Sequence, residues 1–189
     1  MGTRLIQFKV KNFPKMRVIG KGVVLIEGGM SPEDRSIENL WASMDQDGSF
    51  EVLAQLPNHV GQPDDRVGWM GDFHPPDMHF TYLAGALFNA DAEAPDGFIC
   101  REIEAGEMAV SSIQGTDSPE GGDLHTDASA INGQAMASHG YEYDGSRGLY
   151  EMEYQSYERF YTPLEHGEQP MLDFYSPCKK VMNSEQLLT

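Results

Sequence analysis

Two kinds of hydrophobic pattern follow one another along this chain, and their order limits the fold more than any other feature. The first half reads as strand, helix, strand and strand, at residues 16–27, 31–45, 66–73 and 78–88. The helix begins with Ser31, a suitable N-cap, and with Pro32, which fits the first helical turn. Gly48 is expected to end it. A capped amphipathic helix between stretches of period two predicts a helix that packs on a sheet.

The second half repeats this order of elements without visible sequence identity to the first. Two strand-like runs are predicted within residues 98–114, followed by a helix with one apolar side over residues 123–139. Two closing strands are predicted at residues 149–161 and 171–178. We therefore predict an α+β fold, a tandem β-α-β-β repeat whose antiparallel sheet carries two main helices on one face.

Length and composition fit a single domain over residues 1–189. The first β-α-β-β unit is expected to cover about residues 10–90, the second about residues 96–180, and a short tail residues 181–189. The longest aliphatic run, Val23–Ile26, is too short to cross a membrane, and the N-terminal residues lack a signal-peptide core. Two cysteines without a ligand spacing are typical of a reduced protein, so we expect a cytoplasmic location.

The charge of the chain is strongly negative and unevenly distributed. The formal net charge is −17, yet residues 1–26 contain six basic residues and no acidic one. Residues 27–189 therefore carry seven basic and thirty acidic residues, a balance of −23. Such a field repels phosphate backbones and anionic lipid, and it concentrates cations. We expect no direct DNA binding and no membrane association, although solubility alone also explains the charge.

Two groups of acidic and histidine residues resemble metal sites but lack essential ligands. Residues 43–54 match part of a calcium loop, but Ser43 and Ala54 stand where two carboxylate ligands are required. A second group lies across a two-proline turn and consists of Asp72, His74, Asp77 and His79. No third imidazole has a helpful spacing there, so surface turn residues are the plainer interpretation. The sequence therefore predicts no metal and no cofactor.

Residues 149–161 contain the acidic residue that most needs an explanation. If the segment is one strand, one of its faces consists of Tyr150, Met152, Tyr154, Ser156, Glu158 and Phe160. A carboxylate on such an aromatic face is costly to bury unless it is paired. Glu158 then lies on the floor of a pocket for a ligand cation, with tyrosine rings as cation–π partners, or it is exposed, or it pairs with an arginine such as Arg101. A β-bulge would exchange the two faces.

Seven short motifs in a fixed order give the chain a resemblance to a known family. They are residues 16–25, Leu40-Trp41, residues 82–85, residues 97–110, residues 140–142, residues 157–160 and residues 172–175. In this order they are similar to the GyrI-like family, also called the bacterial transcription-activator effector-binding domain. The resemblance spans about residues 10–178, and it implies a tandem strand-helix-strand-strand fold with a ligand cleft between the halves.

The resemblance also implies which residues bind the ligand. Glu158 corresponds to the acidic residue that such domains place in the cleft, and aromatic side chains are expected to line it. The expected ligand-binding residues are Trp41, Trp69, Phe73, Tyr82, Tyr154, Glu158, Phe160, Asp173 and Tyr175. Two departures affect the shape of the pocket. The last strand usually carries Glu where this chain has Asp173, and the second helix has Ala135 and Met136 where the family often has an aromatic residue.

Three functions from different classes follow. The first, which we expect, is binding of a small aromatic and cationic molecule, as in multidrug-binding and AraC effector domains. It would serve sensing or sequestration, in a stand-alone form because residues 1–15 are too few for a helix-turn-helix reader. The second is a hydrolase of electrophilic aromatic natural products, in which Glu158 with Tyr82 or Tyr154 supplies acid–base catalysis. The third is gyrase-inhibitor-like protein interaction. A regulator or gyrase is the possible protein partner, and a monomer or homodimer is expected.

Overall fold

The computed structural model describes residues 2–26, 35–74, 76, 78–116 and 123–181. The strands in these ranges are β1 (Arg4–Phe13), β2 (Met16–Ile26), β3 (Arg66–His74), β4 (His79–Asn89), β5 (Ile99–Ile103), β6 (Gly106–Gln114), β7 (Tyr141–Tyr143), β8 (Leu149–Gln155) and β9 (Met171–Lys180). The helices are α1 (Ser36–Gln46), α2 (Ser49–Ala54), α3 (Asp123–Ser138) and α4 (Thr162–Glu165). A 3-10 turn lies at Gly145–Arg147 and a π-helical turn at Tyr157–Tyr161.

The strands form antiparallel pairs throughout the described ranges. The main sheet has the order β1-β6-β9-β8-β3-β4-β2-β5, and β7 pairs with β9 beside it. Within that order, β2-β4-β3 and β6-β9-β8 are two copies of one three-stranded arrangement, and β3 and β8 join them at the centre. The predicted α+β fold with a tandem β-α-β-β repeat and an antiparallel sheet is therefore confirmed.

The strands at the two edges of the sheet are exchanged between the halves. β1 precedes the first unit in the chain but pairs with β6 of the second, whereas β5 precedes the second unit but pairs with β2 of the first. Each half is thus completed by a strand that the chain connects to the other half. β1 was not among the predicted strands, although its residues alternate as those of a strand do.

The sheet buries apolar side chains on both faces. On one face, α1 and α2 cover a cluster that includes Ile19 and Met44, and α3 covers a cluster that includes Leu124 and Phe174. We call this the helix face. The cluster of the opposite face includes Met16, Trp69, Leu83, Leu149 and Met152. Successive strand residues alternate between these faces, so the parity of a residue decides which face its side chain joins.

The first helix ends as predicted but is followed by a second helix that was not. α1 begins at Ser36 in the described part of the chain, and the predicted N-cap at Ser31 lies outside the described residues. Gly48 has a φ of 76°, a left-handed conformation that favours glycine, and it separates α1 from α2. Asp47 then accepts a hydrogen bond from the backbone N–H of Ser49 at 3.0 Å, which fixes the start of α2.

The second main helix, predicted over residues 123–139, is confirmed as α3. Asn132 lies in its middle, where asparagine is ordinarily unfavourable. Here the side chain is fully buried and makes two hydrogen bonds to the sheet. The Ser111 hydroxyl donates to Asn132 Oδ1 over 2.7 Å, and Asn132 Nδ2 donates to the Ser176 hydroxyl over 2.8 Å. The amide thus joins α3 to β6 and β9.

The prediction of one strand over residues 149–161 is wrong beyond Gln155. β8 ends there, and a π-helical turn follows because polar groups satisfy its first backbone donors. The Ser156 hydroxyl accepts from the backbone N–H of Arg159 at 3.1 Å, as an N-cap does. Asp65 accepts from the backbone N–H of Tyr157 at 2.8 Å. Residues beyond Gln155 therefore do not continue the alternation of the strand.

Two findings concern the whole of the described chain. Within the described residues, no helix is long and apolar enough to cross a membrane. The same part of the chain contains no group of three or more His, Cys, Asp or Glu side chains arranged to hold a metal ion. Asp77, from the predicted turn group, lies outside the described residues.

Candidate ligand-binding site

Glu153 is a buried carboxylate that β8 places on the helix face at the centre of the sheet. Its side chain is 10% exposed, and the pairing of β8 sets it between Gly68 and Phe174 of the neighbouring strands. A buried carboxylate is costly unless it accepts hydrogen bonds. Its two oxygens accept one each, from His125 Nδ1 at 2.9 Å and from the Tyr82 hydroxyl at 3.3 Å.

The donors to Glu153 come from both halves of the protein. Trp41 Nε1 of α1 donates to the Tyr82 hydroxyl over 3.0 Å, and Tyr82 donates in turn to Glu153. Burial and the neighbouring Glu153 charge raise the pKa of Tyr82 well above its ordinary value, so the phenol keeps its proton. His125 approaches from α3, and its Nδ1 carries the proton in this contact because a carboxylate can only accept.

Gly68 provides the space in which Tyr82 and Glu153 meet. A Cβ atom at this position would lie 2.2 Å from the Tyr82 hydroxyl oxygen and 2.9 Å from Glu153 Oε2. Neither distance is compatible with van der Waals packing, so a side chain here would displace one or both polar groups. Gly68 pairs with Ala84 of β4, and small residues therefore form the floor beneath the two groups.

A row of aromatic side chains continues from each end of this polar contact. On one side Trp41 stacks on Phe50 of α2, with ring centroids 5.5 Å apart. On the other side His125 lies 5.9 Å from Phe160, which lies 5.1 Å from Tyr161 on the π-helical turn. The first row belongs to the first half of the chain, and the second row to the second half.

Arg66 connects the outer ends of the two rows, Phe50 and Tyr161, so that the residues form a closed ring of contacts, here called the circuit. Its guanidinium carbon lies 3.9 Å from the centre of the Phe50 ring and 5.2 Å from that of Tyr161, both within cation–π range. We call the region within this circuit the Glu153 site. Its members are Trp41, Phe50, Arg66, Tyr82, His125, Glu153, Phe160 and Tyr161. The circuit combines a buried carboxylate, polar donors and aromatic faces, which is the chemistry that recognises an organic molecule.

A second acidic residue, Glu151, shares the helix face with Glu153 because it lies two positions earlier in β8. The Ser129 hydroxyl of α3 donates to Glu151 Oε1 over 2.8 Å. Burial raises the pKa of Glu151 to about 7, with the Glu153 charge acting in the same direction and the Ser129 hydrogen bond opposing it. A carboxyl with this pKa exchanges a proton near neutral pH.

Comparison with protein families identifies the family of this chain. The model of the Cass2 family, described as integron-associated effector binding protein, matches residues 9–177. The chain belongs to this family. Among curated proteins none matches the chain significantly. The resemblance to GyrI-like effector-binding domains is confirmed by this match and by solved structures of such domains. Membership in an effector-binding family supports small-molecule binding as the function of the chain.

Solved structures similar to this member of the Cass2 family share its fold at low sequence identity. An integron cassette protein from the mobile metagenome of Vibrio cholerae is 10% identical with a TM-score of 0.59, covering 95% of this chain and 100% of that chain. SAV2435, solved bound to tetraphenylphosphonium, is also 10% identical with a TM-score of 0.59, covering 92% and 94%. EcmrR in a DNA complex is 14% identical with a TM-score of 0.57, covering 93% of this chain and 58% of that chain. The chain thus spans little more than half the length of that EcmrR chain.

The fold of this chain brings three of the nine predicted ligand-binding residues into the Glu153 site. Trp41 and Tyr82 belong to the polar contact, and Phe160 belongs to the aromatic row of the second half. Glu158 is exposed on the π-helical turn, where it does not share a face with these residues. The predicted role of Glu158 required a strand, and that strand ends three residues earlier. The strand on which this interpretation was based is wrong beyond Gln155, and a ligand-binding role of Glu158 stays a prediction.

The other five residues lie away from the Glu153 site. Four of them alternate with the helix-face residues of their own strands and therefore lie on the face without helices: Trp69, Tyr154, Asp173 and Tyr175. Tyr154 donates to Asp65 over 2.5 Å, and Asp173 accepts from Arg159 Nη1 at 2.7 Å, so both are held in internal contacts. Phe73 is 43% exposed near the end of β3.

Five members of the Glu153 site were not predicted from the sequence: Phe50, Arg66, His125, Glu153 and Tyr161. One signal was present in β8, where Glu151, Glu153 and Gln155 form a polar row of period two. Three polar residues on one face of a central strand indicate a polar site under the helices, not a solvent-facing surface, once both neighbouring strands are known. The sequence alone did not give the strand order.

Proposed function

We propose that the Glu153 site binds a small organic molecule that carries aromatic rings and a positive charge. The observation that carries this proposal is the buried Glu153 carboxylate with aromatic side chains around it. Among the described residues, neither a lysine nor an arginine forms an ion pair with Glu153; its partners are the neutral Tyr82 and a histidine. A ligand cation would supply the charge that the carboxylate otherwise lacks.

The chemistry of the site supports a cation with rings over a small hydrated ion. Aromatic faces attract cations through their quadrupoles, most strongly when water is excluded, and the surrounding rings offer stacking area. The bound tetraphenylphosphonium of SAV2435, a protein of similar fold, is a molecule of this kind. The net charge of −17 adds a long-range attraction for any cation. Sensing and sequestration are both compatible with such binding, and a protein partner would distinguish them.

The test uses two probes that share three phenyl rings and differ in charge: methyltriphenylphosphonium and the neutral triphenylphosphine oxide. Glu153→Gln keeps the size of the side chain and removes its charge. A charge-assisted contact contributes about 1.5–3 kcal/mol, so the variant should bind the cation about ten- to a hundredfold more weakly. The neutral probe should change little. Isothermal titration calorimetry measures both affinities.

Glu158→Gln is the matched control, because it removes the same charge from an exposed position nearby in the chain. It should leave both affinities within about twofold of the parent, since exposed charges contribute little to a single contact. Loss of cation binding in Glu158→Gln with normal binding in Glu153→Gln would contradict the proposal and restore Glu158 to the role implied by the family resemblance.

A second candidate function is hydrolysis of an electrophilic ligand in the same site, and Glu151 favours it. A carboxyl with a pKa of about 7 is suited to general acid–base catalysis at neutral pH. Glu151→Gln should then reduce the turnover of an electrophilic aromatic substrate by a hundredfold or more while leaving neutral-probe affinity unchanged. Equal turnover in parent and variant would leave binding as the function.

A further inference from the structure

Arg66 places a cation of the protein itself in the aromatic part of the Glu153 site. We propose that Arg66 is a specificity-determining residue: its guanidinium fills the cage formed by Phe50 and Tyr161 and must leave it before a large aromatic cation binds. This inference rests on the proposed function and adds to it a selection by size. A small cation reaches Glu153 with Arg66 in place, whereas a large one needs the cage.

The contacts of Arg66 are those expected of a bound organic cation. The guanidinium lies 3.9 Å from the Phe50 ring centre and 5.2 Å from the Tyr161 ring centre, and Nη1 donates to Asp45 over 2.8 Å. Two aromatic faces and one carboxylate thus surround a planar cation. Tyr161 donates a hydrogen bond to Gln155 of β8, which holds its ring beside the guanidinium. The Arg66 side chain is an internal occupant of a cation-binding cage.

The cage is continuous with the rest of the site. Phe50 stacks on Trp41, which donates to Tyr82, and Tyr161 contacts Phe160. Arg66 precedes Gly68 by two residues in β3, so both face the helices. A ligand with several rings that reaches from the carboxylate toward Phe50 therefore meets the guanidinium. Both groups are positive, so the encounter is repulsive as well as steric.

The Arg66 guanidinium is held by a partly exposed ion pair, and other carboxylates lie within its surroundings. The ion pair with Asp45 is partly exposed, with 27% of the Arg66 side chain and 53% of the Asp45 side chain accessible, and such pairs add little stability. Arg66 and Phe50 also line a surface depression whose lining includes the acidic residues Glu51 and Asp64. The side chain can rotate toward these carboxylates while β3 stays fixed between β4 and β8.

Arg66→Met tests this inference, because methionine keeps an unbranched apolar side chain and removes the charge. The probes are tetraphenylphosphonium, with four rings, and benzyltrimethylammonium, with one. We expect the variant to bind tetraphenylphosphonium about five- to twentyfold more tightly and to change its affinity for benzyltrimethylammonium by less than twofold. Arg101→Met, which removes an exposed charge paired with Asp72, should change neither affinity and controls for net charge.

A structural role of Arg66 predicts the opposite result, because a residue that only holds α2 against the π-helical turn would weaken binding of both probes when removed. Unchanged or weaker tetraphenylphosphonium binding in folded Arg66→Met therefore overturns the inference. If Glu153→Gln also leaves that affinity unchanged, the proposed function fails as well. If Glu153→Gln weakens it, the inference about Arg66 fails alone.

A measurement on the parent protein makes the test independent of variant folding. The Arg66 Nε–H resonance, assigned by its loss in Arg66→Lys, should be shifted upfield by the two rings that enclose the guanidinium. Saturating tetraphenylphosphonium should abolish this shift, and saturating benzyltrimethylammonium should preserve it. Persistence of the ring-shifted resonance in the tetraphenylphosphonium complex would show that Arg66 stays in the cage, which would overturn the inference.

Discussion

At residue 68 the absence of a side chain determines where two polar groups lie. The Tyr82 hydroxyl and Glu153 Oε2 occupy the space that a Cβ atom would fill, at 2.2 Å and 2.9 Å from its position. The Tyr82 ring carbon that bears the hydroxyl also lies 2.9 Å from this position, so an added methyl group would displace the buried Tyr82 ring as well as the Glu153 carboxylate. A side chain at this position would therefore change the geometry of the Tyr82–Glu153 contact.

We predict that Gly68→Ala separates the Tyr82 hydroxyl from Glu153 and weakens methyltriphenylphosphonium binding about tenfold. The thermal midpoint should fall by only a few degrees, since glycine within a strand is itself unfavourable and alanine offsets part of the strain. Calorimetric titration and a thermal melt measure the two effects. A variant with parental affinity would show that the Tyr82–Glu153 contact is not needed for binding.

Glu151 gives a prediction about pH, because burial raises its pKa from 4.5 to about 7 in the folded protein. Between these values the unfolded chain has lost a proton that the folded chain retains, so stability falls as pH rises and stays lower above pH 7. At about 1.4 kcal/mol per pKa unit the loss is about 3 kcal/mol at most. Glu151→Gln removes this loss and keeps an acceptor for Ser129.

Urea unfolding at pH 5 and pH 8 measures the effect. The difference in unfolding free energy between Glu151→Gln and the parent should move in favour of the variant by about 1–3 kcal/mol from pH 5 to pH 8. An equal difference at both pH values would contradict the raised pKa.

The acidic residue of the site shows what the sequence can predict at the scale of a residue, because Glu158 was predicted for this role and Glu153 is the buried carboxylate. Their spacing is odd, so in a continuous strand they lie on opposite faces. The sequence singled out the segment that contains both residues, but which side chains reach the helix face depended on the neighbouring strands and on where β8 ends. That end is set by contacts distant in sequence, such as the Asp65 carboxylate that accepts from the backbone N–H of Tyr157. Local pattern does not contain this information.

Among the elements, α3 was predicted correctly from its apolar pattern, although that pattern does not include the tertiary contacts that stabilise the helix. Asn132 and Gly133 lower the intrinsic stability of the helix by about 1 kcal/mol or more. Tertiary contacts offset this cost, because Ser111 and Ser176 bond the Asn132 amide within the sheet interface. The same reasoning explains why β1 was missed: its pairing with β6 joins residues about a hundred positions apart.

The adjacent residues of α3 give a matched pair of predictions. Asn132→Leu should destabilise the protein by about 2–4 kcal/mol, because it leaves two buried hydroxyls without their partner and enlarges a side chain in a tight interface. Gly133→Ala should stabilise it by about 0.5–1 kcal/mol, since an added Cβ meets no atom within 4 Å and alanine favours the helix. Urea unfolding measures both. Similar effects from the two changes would contradict the buried role of Asn132.

At the scale of the whole molecule, the pairing of β3 with β8 at the centre of the sheet makes the Glu153 site a property of both halves. The Glu153 site takes Trp41, Phe50, Arg66 and Tyr82 from the first half and His125, Glu153, Phe160 and Tyr161 from the second. At the two edges of the sheet, β1 pairs with β6 of the second half and β5 pairs with β2 of the first half, so these strands also link the halves. The order of elements predicted this tandem architecture, whereas the meeting of the halves at β3 and β8 required the three-dimensional pairing.

The last prediction concerns the charge of the whole molecule. A net charge of −17 attracts organic cations over a Debye length of about 30 Å at 10 mM salt but of less than 10 Å at 300 mM. The Kd of methyltriphenylphosphonium should therefore rise several-fold between these salt concentrations, while that of triphenylphosphine oxide stays constant. Glu153→Gln should bind the cation more weakly but show nearly the same salt dependence, because the remaining surface charges are unchanged and a buried contact is screened less. The same field opposes phosphate backbones, so a mobility-shift titration with duplex DNA at about 50 mM salt should show no tight complex. A cation Kd independent of salt would assign the affinity to the site alone, and a tight, salt-sensitive DNA complex would contradict the expected exclusion of nucleic acid.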